Sequence, residues 1–383
     1  MQERKLAAWL DAGVIDAEAV ARIRDYEASH TRPLALWAVI GLGALAIGLG
    51  IVLVVAANWD AIPQMLRLSL HFGLLAAGVA VIAWRGKSLA ARQPMALDAA
   101  LFVLGMLGMA FMGHLGQVYQ TSSPLWQPIA LWLVLFGPLL LLRGQSWLCA
   151  GLIVVPMVYA GWNYAEGFGS SWWWRHNQPS SLAIGLATAA PVLLAGPAAW
   201  LRGLSQRTTF WRRLEQMAVG YAAAGASVLA LISGWDDFSR NGENGIAFNT
   251  ITIYAVIGLI AAGLIATGRR NRSGQGSAMI VAAAALACLM AWPISGSQIG
   301  GATLFMGLWS WIAAASLHGG WRGVFQIAVG AVALRLIGLS FELQNDLLSN
   351  GAGLIVTGLL MLGIAWGAVR IARKYAPPRE HAA

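Results

Sequence analysis

Apolar blocks of roughly 16 to 24 residues, the length that crosses a bilayer as an α-helix, recur along the whole chain. "LALWAVIGLGALAIGLGIVLVV" is the first and "GLIVTGLLMLGIAWGAVRI" the last. In hydrocarbon every backbone polar group must be satisfied by the spanning structure itself, so blocks of this kind permit only helices or a closed barrel. A barrel would need shorter strands alternating apolar and polar residues, and the blocks do not alternate. Charged residues make up 11% of the 383 residues, against about 25% in a soluble domain. The predicted fold class is therefore all-α: a polytopic transmembrane helical bundle.

Twelve spans are predicted, at 34–57, 66–84, 97–116, 125–142, 147–164, 180–201, 214–233, 246–267, 277–294, 299–317, 323–341 and 351–372. The ninth and tenth are short and Gly-rich; losing both would leave the orientation of the rest unchanged, because a pair preserves parity. Orientation follows from the bias of Lys and Arg toward cytoplasmic loops. With the N-terminus cytoplasmic, only Arg67, Arg175, Arg240 and Arg335 of the 25 Lys and Arg residues fall on the opposite side. Both termini are thus expected inside, with residues 1–33 as a cytoplasmic head, 34–372 as the transmembrane domain and 373–383 as a cytoplasmic tail.

The head is too polar for a cleavable leader, and the apolar run after it is too long for one. Leu6, Trp9 and Leu10 share an apolar face, Gly13 offers a break, and Asp16 is a plausible N-cap with Glu18 in the first turn. Two short helices, folded together or lying on the membrane surface, are expected there. Cys149 and Cys288 both sit in apolar segments and read as small packing residues. Small residues four apart, Ala44 with Gly48, Ala46 with Gly50 and Gly363 with Gly367, suit close helix packing. A sequence pI near 10.1 does not imply nucleic acid: the basic residues are scattered in short links, where topology and anionic lipid headgroups account for them.

Polar residues gather at one level. "GHLGQVYQTSSPLWQPIALW" places His114 and Gln117 at the outer edge of the third span, with Tyr119 and Gln120 in the headgroup layer. Asn58, Trp59 and Asp60 end the first span, Arg67 and His71 open the second, and Asn163, Tyr164 and Glu166 end the fifth. The tryptophans of "GFGSSWWWRHNQPS" suit the interface. Arg335 stands apart, about twelve residues into its span, where an Arg costs at least ~2.5–3.5 kcal/mol. Glu342 and Asp346 return to nearly the same helical face, so Arg335 can reach Glu342, or pair with Asp60 or Glu166 from another helix. No phosphate-binding Gly-rich loop, HExxH or GxSxG elbow occurs. His71, His114 and His176 share a side but lack ligand spacing, so no metal or cofactor is expected. Asp60 with Glu166, or Asp236 with Asp237, are the available carboxylate pairs; the second pair is expected in water.

The head "WLDAGVIDAEAVARIRDYE", the turn "VAANWDAIP" and the string "GQVYQTSSPLWQPIALW", in that order, resemble the uncharacterised bacterial membrane-protein family catalogued as domain of unknown function 2157. The resemblance covers the chain up to about residue 145. It implies a multi-span bacterial inner-membrane protein with a small cytoplasmic head, and it brings no activity or catalytic residues. Asn58, Trp59, Gln117, Tyr119 and Gln120 match its recurrent strings.

Three functions are open to such a chain. The leading expectation is a carrier or permeation-type protein that takes a small polar or amphiphilic solute from the outer face. Arg335 would be its charged anchor, Glu342 the partner of that anchor, and His71, His114, Gln117, Tyr119 and Asp60 the lining of the mouth. The second is a non-transporting assembly or sensor subunit with a partner membrane protein. The third is an intramembrane enzyme acting on lipid-linked substrates. Membrane lipids are expected partners of all three.

Overall fold

The computed structural model describes residues 6, 9–30, 42, 46, 62–120, 123–170, 181–234, 248–343 and 351–375, and their regular structure is entirely helical. Apart from Leu42 and Ala46, the first predicted span, with Ala44, Gly48 and Gly50 of its small-residue pairs, lies outside the described residues, as do Asn58, Trp59, Asp60, Arg175, His176, Asp236, Asp237, Arg240, Asp346 and residues 376–383. The helices are α1 (Ala17–His30), α2 (Gln64–Arg92), α3 (Pro94–Val118), α4 (Trp126–Arg143), α5 (Trp147–Ser170), α6 (Ser181–Leu193) and α7 (Ala195–Leu204). They continue with α8 (Thr208–Ile232), α9 (Phe248–Gly268), α10 (Arg272–Ala291), α11 (Gln298–Gly319), α12 (Arg322–Leu343) and α13 (Gly351–Tyr375). Among the described residues, 10 helices from Gln64 to Leu339 are long and apolar enough to cross a membrane, α6 and α7 together forming one of them. They coincide with the second to eleventh predicted spans, including the short Gly-rich pair, and α13 coincides with the twelfth.

The contacts divide the chain into two compact units, Met1–Arg67 and Leu68–Ala383. In the first, Asp16 caps α1 by accepting the Ala19 N–H at 2.6 Å, and Gly13 turns the chain at φ +66°. Leu6 and Val20 are buried, whereas Trp9, Leu10 and Val14 are exposed.

In the second unit α8 is the hub, packing against α5, α6, α7, α10 and α11, and α10 lies between α8, α9 and α11. Small residues make α10 fit: Ala278, Ala283, Ala284, Ala287 and Ala291 are all buried. Large apolar side chains such as Phe72, Trp84, Val134, Val155, Ile260, Ile327 and Leu334 face outward, as a lipid environment requires.

Among the departures from the predicted boundaries, those of two spans change the fold most. α2 has 29 residues, about 43 Å at 1.5 Å per residue, longer than a hydrocarbon core of about 30 Å. Arg85 and Lys87, expected in a loop, continue the helix because nothing breaks it before Gln93 and Pro94. The predicted span 180–201 divides at Leu194, whose N–H bonds the Pro191 carbonyl three residues back at 3.3 Å. Pro191 and Pro197 lack the N–H groups that an unbroken helix needs there. Gly363 and Gly367 also differ from expectation: a Cβ at either would meet no described atom within 4 Å.

One end of this unit is held together by polar side chains from many helices. Arg207 donates to the Gly144 carbonyl at 3.1 Å and the Leu141 carbonyl at 2.7 Å, and Arg213 to the Gln145 carbonyl at 2.6 Å. These side chains satisfy the open carbonyls at and beyond the C-terminus of α4. Buried Asp98 of α3 accepts the Gln145 N–H at 2.9 Å and the Cys149 thiol at 3.3 Å. Glu215 of α8 takes Arg269 Nη1 on both oxygens, at 2.6 and 2.9 Å, and Arg202 Nη1 at 3.3 Å. His318 Nε2 and Gln275 Oε1 lie 2.8 Å apart across α11 and α10. The links predicted to be cytoplasmic therefore share one basic end. Asp98→Ala strands the Gln145 N–H and the Cys149 thiol, with an expected loss of about 1–3 kcal/mol, to be checked by thermal unfolding in detergent.

Candidate functional site

The sequence-predicted residues fall into two separate places. His71 of α2 turns to α3: its Nε2 is 3.1 Å from the Leu107 carbonyl oxygen, and its ring lies 5.7 Å from that of His114. Phe111 closes on His71 edge-on at 5.1 Å. His114 is buried, while Gln117 and Tyr119 are exposed at the end of α3. Arg335, half-buried, belongs to α12, whose packing neighbours are α11 and α13, and Glu342 lies in the last turn of that helix. Arg335 therefore lies on a helix that packs on α11 and α13, apart from the His71–His114 pair on α2 and α3. Other polar residues noted in the sequence have local tasks. Arg67 Nε donates to the Ile62 carbonyl at 2.6 Å, and Asn163 of α5 accepts the Trp126 N–H at 3.0 Å, capping α4.

A third place, which the sequence reading passed over, is a cavity of about 260 Å³ among α5, α6, α8, α9 and α10. Its walls are mostly Ala, Val, Leu and Gly, with Cys288 at one side. Its polar groups form one ladder. Trp162 Nε1 donates to Tyr221 Oη at 3.0 Å, and Tyr221 Oη donates to the Thr188 carbonyl at 2.7 Å. Thr188 Oγ1 lies 2.8 Å from the Ile184 carbonyl and 2.9 Å from Tyr254 Oη. Thr188 has one hydroxyl hydrogen, and the Ile184 carbonyl can only accept, so Tyr254 supplies its own hydrogen to Thr188. Tyr254 Oη then presents only lone pairs to the cavity.

Local sequence explains the site's construction. Pro191 cannot donate to the Ala187 carbonyl, which an unbroken helix would use. Gly161 of α5 packs directly against that carbonyl and against the Thr188 backbone. The close approach brings Trp162 within reach of α8. Trp162, Gly225 and Val228 are exposed at the cavity wall, so its mouth opens sideways between α5 and α8. At 1.5 Å per residue, Thr188 and Tyr254 lie about 10 Å from the ends of α6 and α9 opposite the basic end. The signals available in the sequence were lone Thr and Tyr residues inside apolar spans, which carry no mark of mutual contact.

No curated protein and no solved structure matches the chain. Its residues 7–149, from the head through α2, α3 and α4 to the first turn of α5, match the family model "Predicted membrane protein (DUF2157)", a membrane-protein family of unknown function.

Proposed function

We propose that this multi-pass membrane protein, in the bacterial inner membrane with both termini cytoplasmic, is a carrier or permeation-type protein that binds a small amphiphile. What supports the orientation is the gathering of basic side chains at one end of the bundle, the end expected to face the cytoplasm. What supports binding is the cavity beneath Trp162, Tyr221 and Tyr254. Its volume of about 260 Å³ lies just below the usual range of ligand pockets, about 300–1,000 Å³, and its wall is apolar with one convergent polar edge. With only lone pairs on offer at Tyr254, the ligand is an apolar body carrying a hydroxyl or N–H group. It enters through the sideways mouth, from the outer half of the bilayer. The His71–His114 pair and Arg335 lie on other helices and do not line this mouth.

The test is retention of small molecules during gentle detergent extraction, read by native mass spectrometry. Wild type should carry an apolar alcohol or amide. Tyr254→Phe removes one neutral acceptor worth about 1 kcal/mol, so retention should fall roughly five- to tenfold with the fold intact. A Cβ at Gly225 meets nothing within 4 Å, so Gly225→Leu fills the mouth without moving backbone and should abolish retention. If wild type carries nothing, or neither variant changes what it carries, the cavity is only a packing defect.

A further inference from the structure

The basic end holds a second hollow, of about 330 Å³, between the end of α7 and the turn from α9 to α10. We propose that it binds a phosphate group, that of an anionic phospholipid in the cytoplasmic leaflet. Arg202, Arg269, Arg270 and Asn271 line it, with Gly203 and Gly268 leaving room between them. Behind them lies the Glu215 carboxylate, so three guanidiniums face one acid and the hollow keeps an excess of positive charge.

The donors are held in place before any ligand arrives. Arg269 is buried, fixed by Glu215 and by its Nη2 bond to Ser273 Oγ at 3.0 Å. Arg202 gives only Nη1 to Glu215; among the described residues its Nε and Nη2 have no acceptor. The Arg270 guanidinium is exposed and makes no bond among the described residues. Asn271 spends its Oδ1 on the Gly274 N–H at 2.8 Å, capping α10, which leaves its Nδ2 hydrogens to the hollow. The N-terminus of α10 adds its partial positive charge. Phosphate oxygens, which only accept, match such a donor set.

The flank of the hollow favours a lipid over a free ion. Trp200 and Leu204 of α7 and Ile260 and Leu264 of α9 are exposed on the side surface that leads away from the arginines. Acyl chains can lie along this strip while the headgroup sits among the guanidiniums. A basic pocket between spans on the cytoplasmic side is the kind of site that holds such headgroups.

The experiment uses the full chain, delipidated in detergent, with native mass spectrometry after addition of cardiolipin, phosphatidylcholine or inorganic phosphate. The expected result is one retained cardiolipin, and about tenfold weaker retention for Arg270→Gln, the size of a lost charge-assisted bond. Gly203→Leu should also weaken it; a Cβ there meets nothing within 4 Å, so the variant folds. Arg92→Gln, an exposed charge at the same end, should change nothing. Inorganic phosphate that binds and displaces cardiolipin would keep the phosphate site but make its ligand a soluble one. Equal retention of phosphatidylcholine, no retention at all, or an Arg92→Gln loss matching that of Arg270→Gln would overturn the proposal.

Discussion

Glu215→Ala is expected to destabilise the bundle by about 3–5 kcal/mol, the cost of leaving one side of a buried ion pair uncompensated. The Glu215 side chain is 2% exposed and Arg269 7%, with Arg202 at 24%, so water cannot replace the lost carboxylate at Arg269. Both guanidiniums would then repel each other across the gap. Replacing the whole triad tests the explanation, because apolar substitutes for buried ion pairs are often neutral or stabilising. A chain with Arg202→Met, Glu215→Leu and Arg269→Met should recover most of the loss while failing to retain cardiolipin. Thermal unfolding in detergent, followed by tryptophan fluorescence, measures the stability, and native mass spectrometry the retention. A loss for Glu215→Ala below about 1 kcal/mol, the worth of an exposed pair, would mean that the triad is solvated.

Gly161→Leu should be comparably damaging and should also abolish the cavity. The atoms a side chain would meet there are the Ala187 carbonyl and the Thr188 backbone, which cannot rotate aside as a flexible side chain does. Overpacking of this kind costs about 1–3 kcal/mol, and more when backbone must shift. Moving α5 away from α6 also pulls Trp162 off Tyr221, and with it the ladder to Thr188. Gly161→Ala should show the same change in smaller measure. Ligand retention and thermal stability should fall together in both variants; retention that survives in Gly161→Leu would mean that the ligand does not bind in this cavity.

Depth was readable from sequence where neighbourhood was not. Position within a span fixes a residue's level in the bilayer, because each residue advances a helix by about 1.5 Å. On that basis His71 and His114 fall near the outer ends of their spans, and Arg335 stands apart, about twelve residues into its own. Their convergence on one mouth was a statement about lateral packing: His71 and His114 meet across α2 and α3, whereas α12 carries Arg335 elsewhere. Glu215 shows the converse. It reads as an isolated acid in "FWRRLEQM", and its partners lie 13 and 54 residues away, in α7 and in the turn from α9 to α10. Thr188, Tyr221 and Tyr254 likewise carry no mark in the sequence of their contacts.

The sequence by itself determined the class of the molecule, the place of most polar side chains along their spans and the concentration of basic residues in alternate links. Those properties are local, set by block length, by the helical rise and by where charges can avoid hydrocarbon. Only the tertiary structure decided which helices are neighbours, that α8 is the hub, and that Gly161 can press against a carbonyl freed by Pro191. The physical reason is the solvent. A soluble helix declares its inner face by contrast with water, but here lipid is as apolar as the core. Helices such as α9, α11 and α12 carry almost no amphipathic asymmetry. Their lateral order is fixed instead by the fit of small residues and by a few polar contacts between distant parts of the chain.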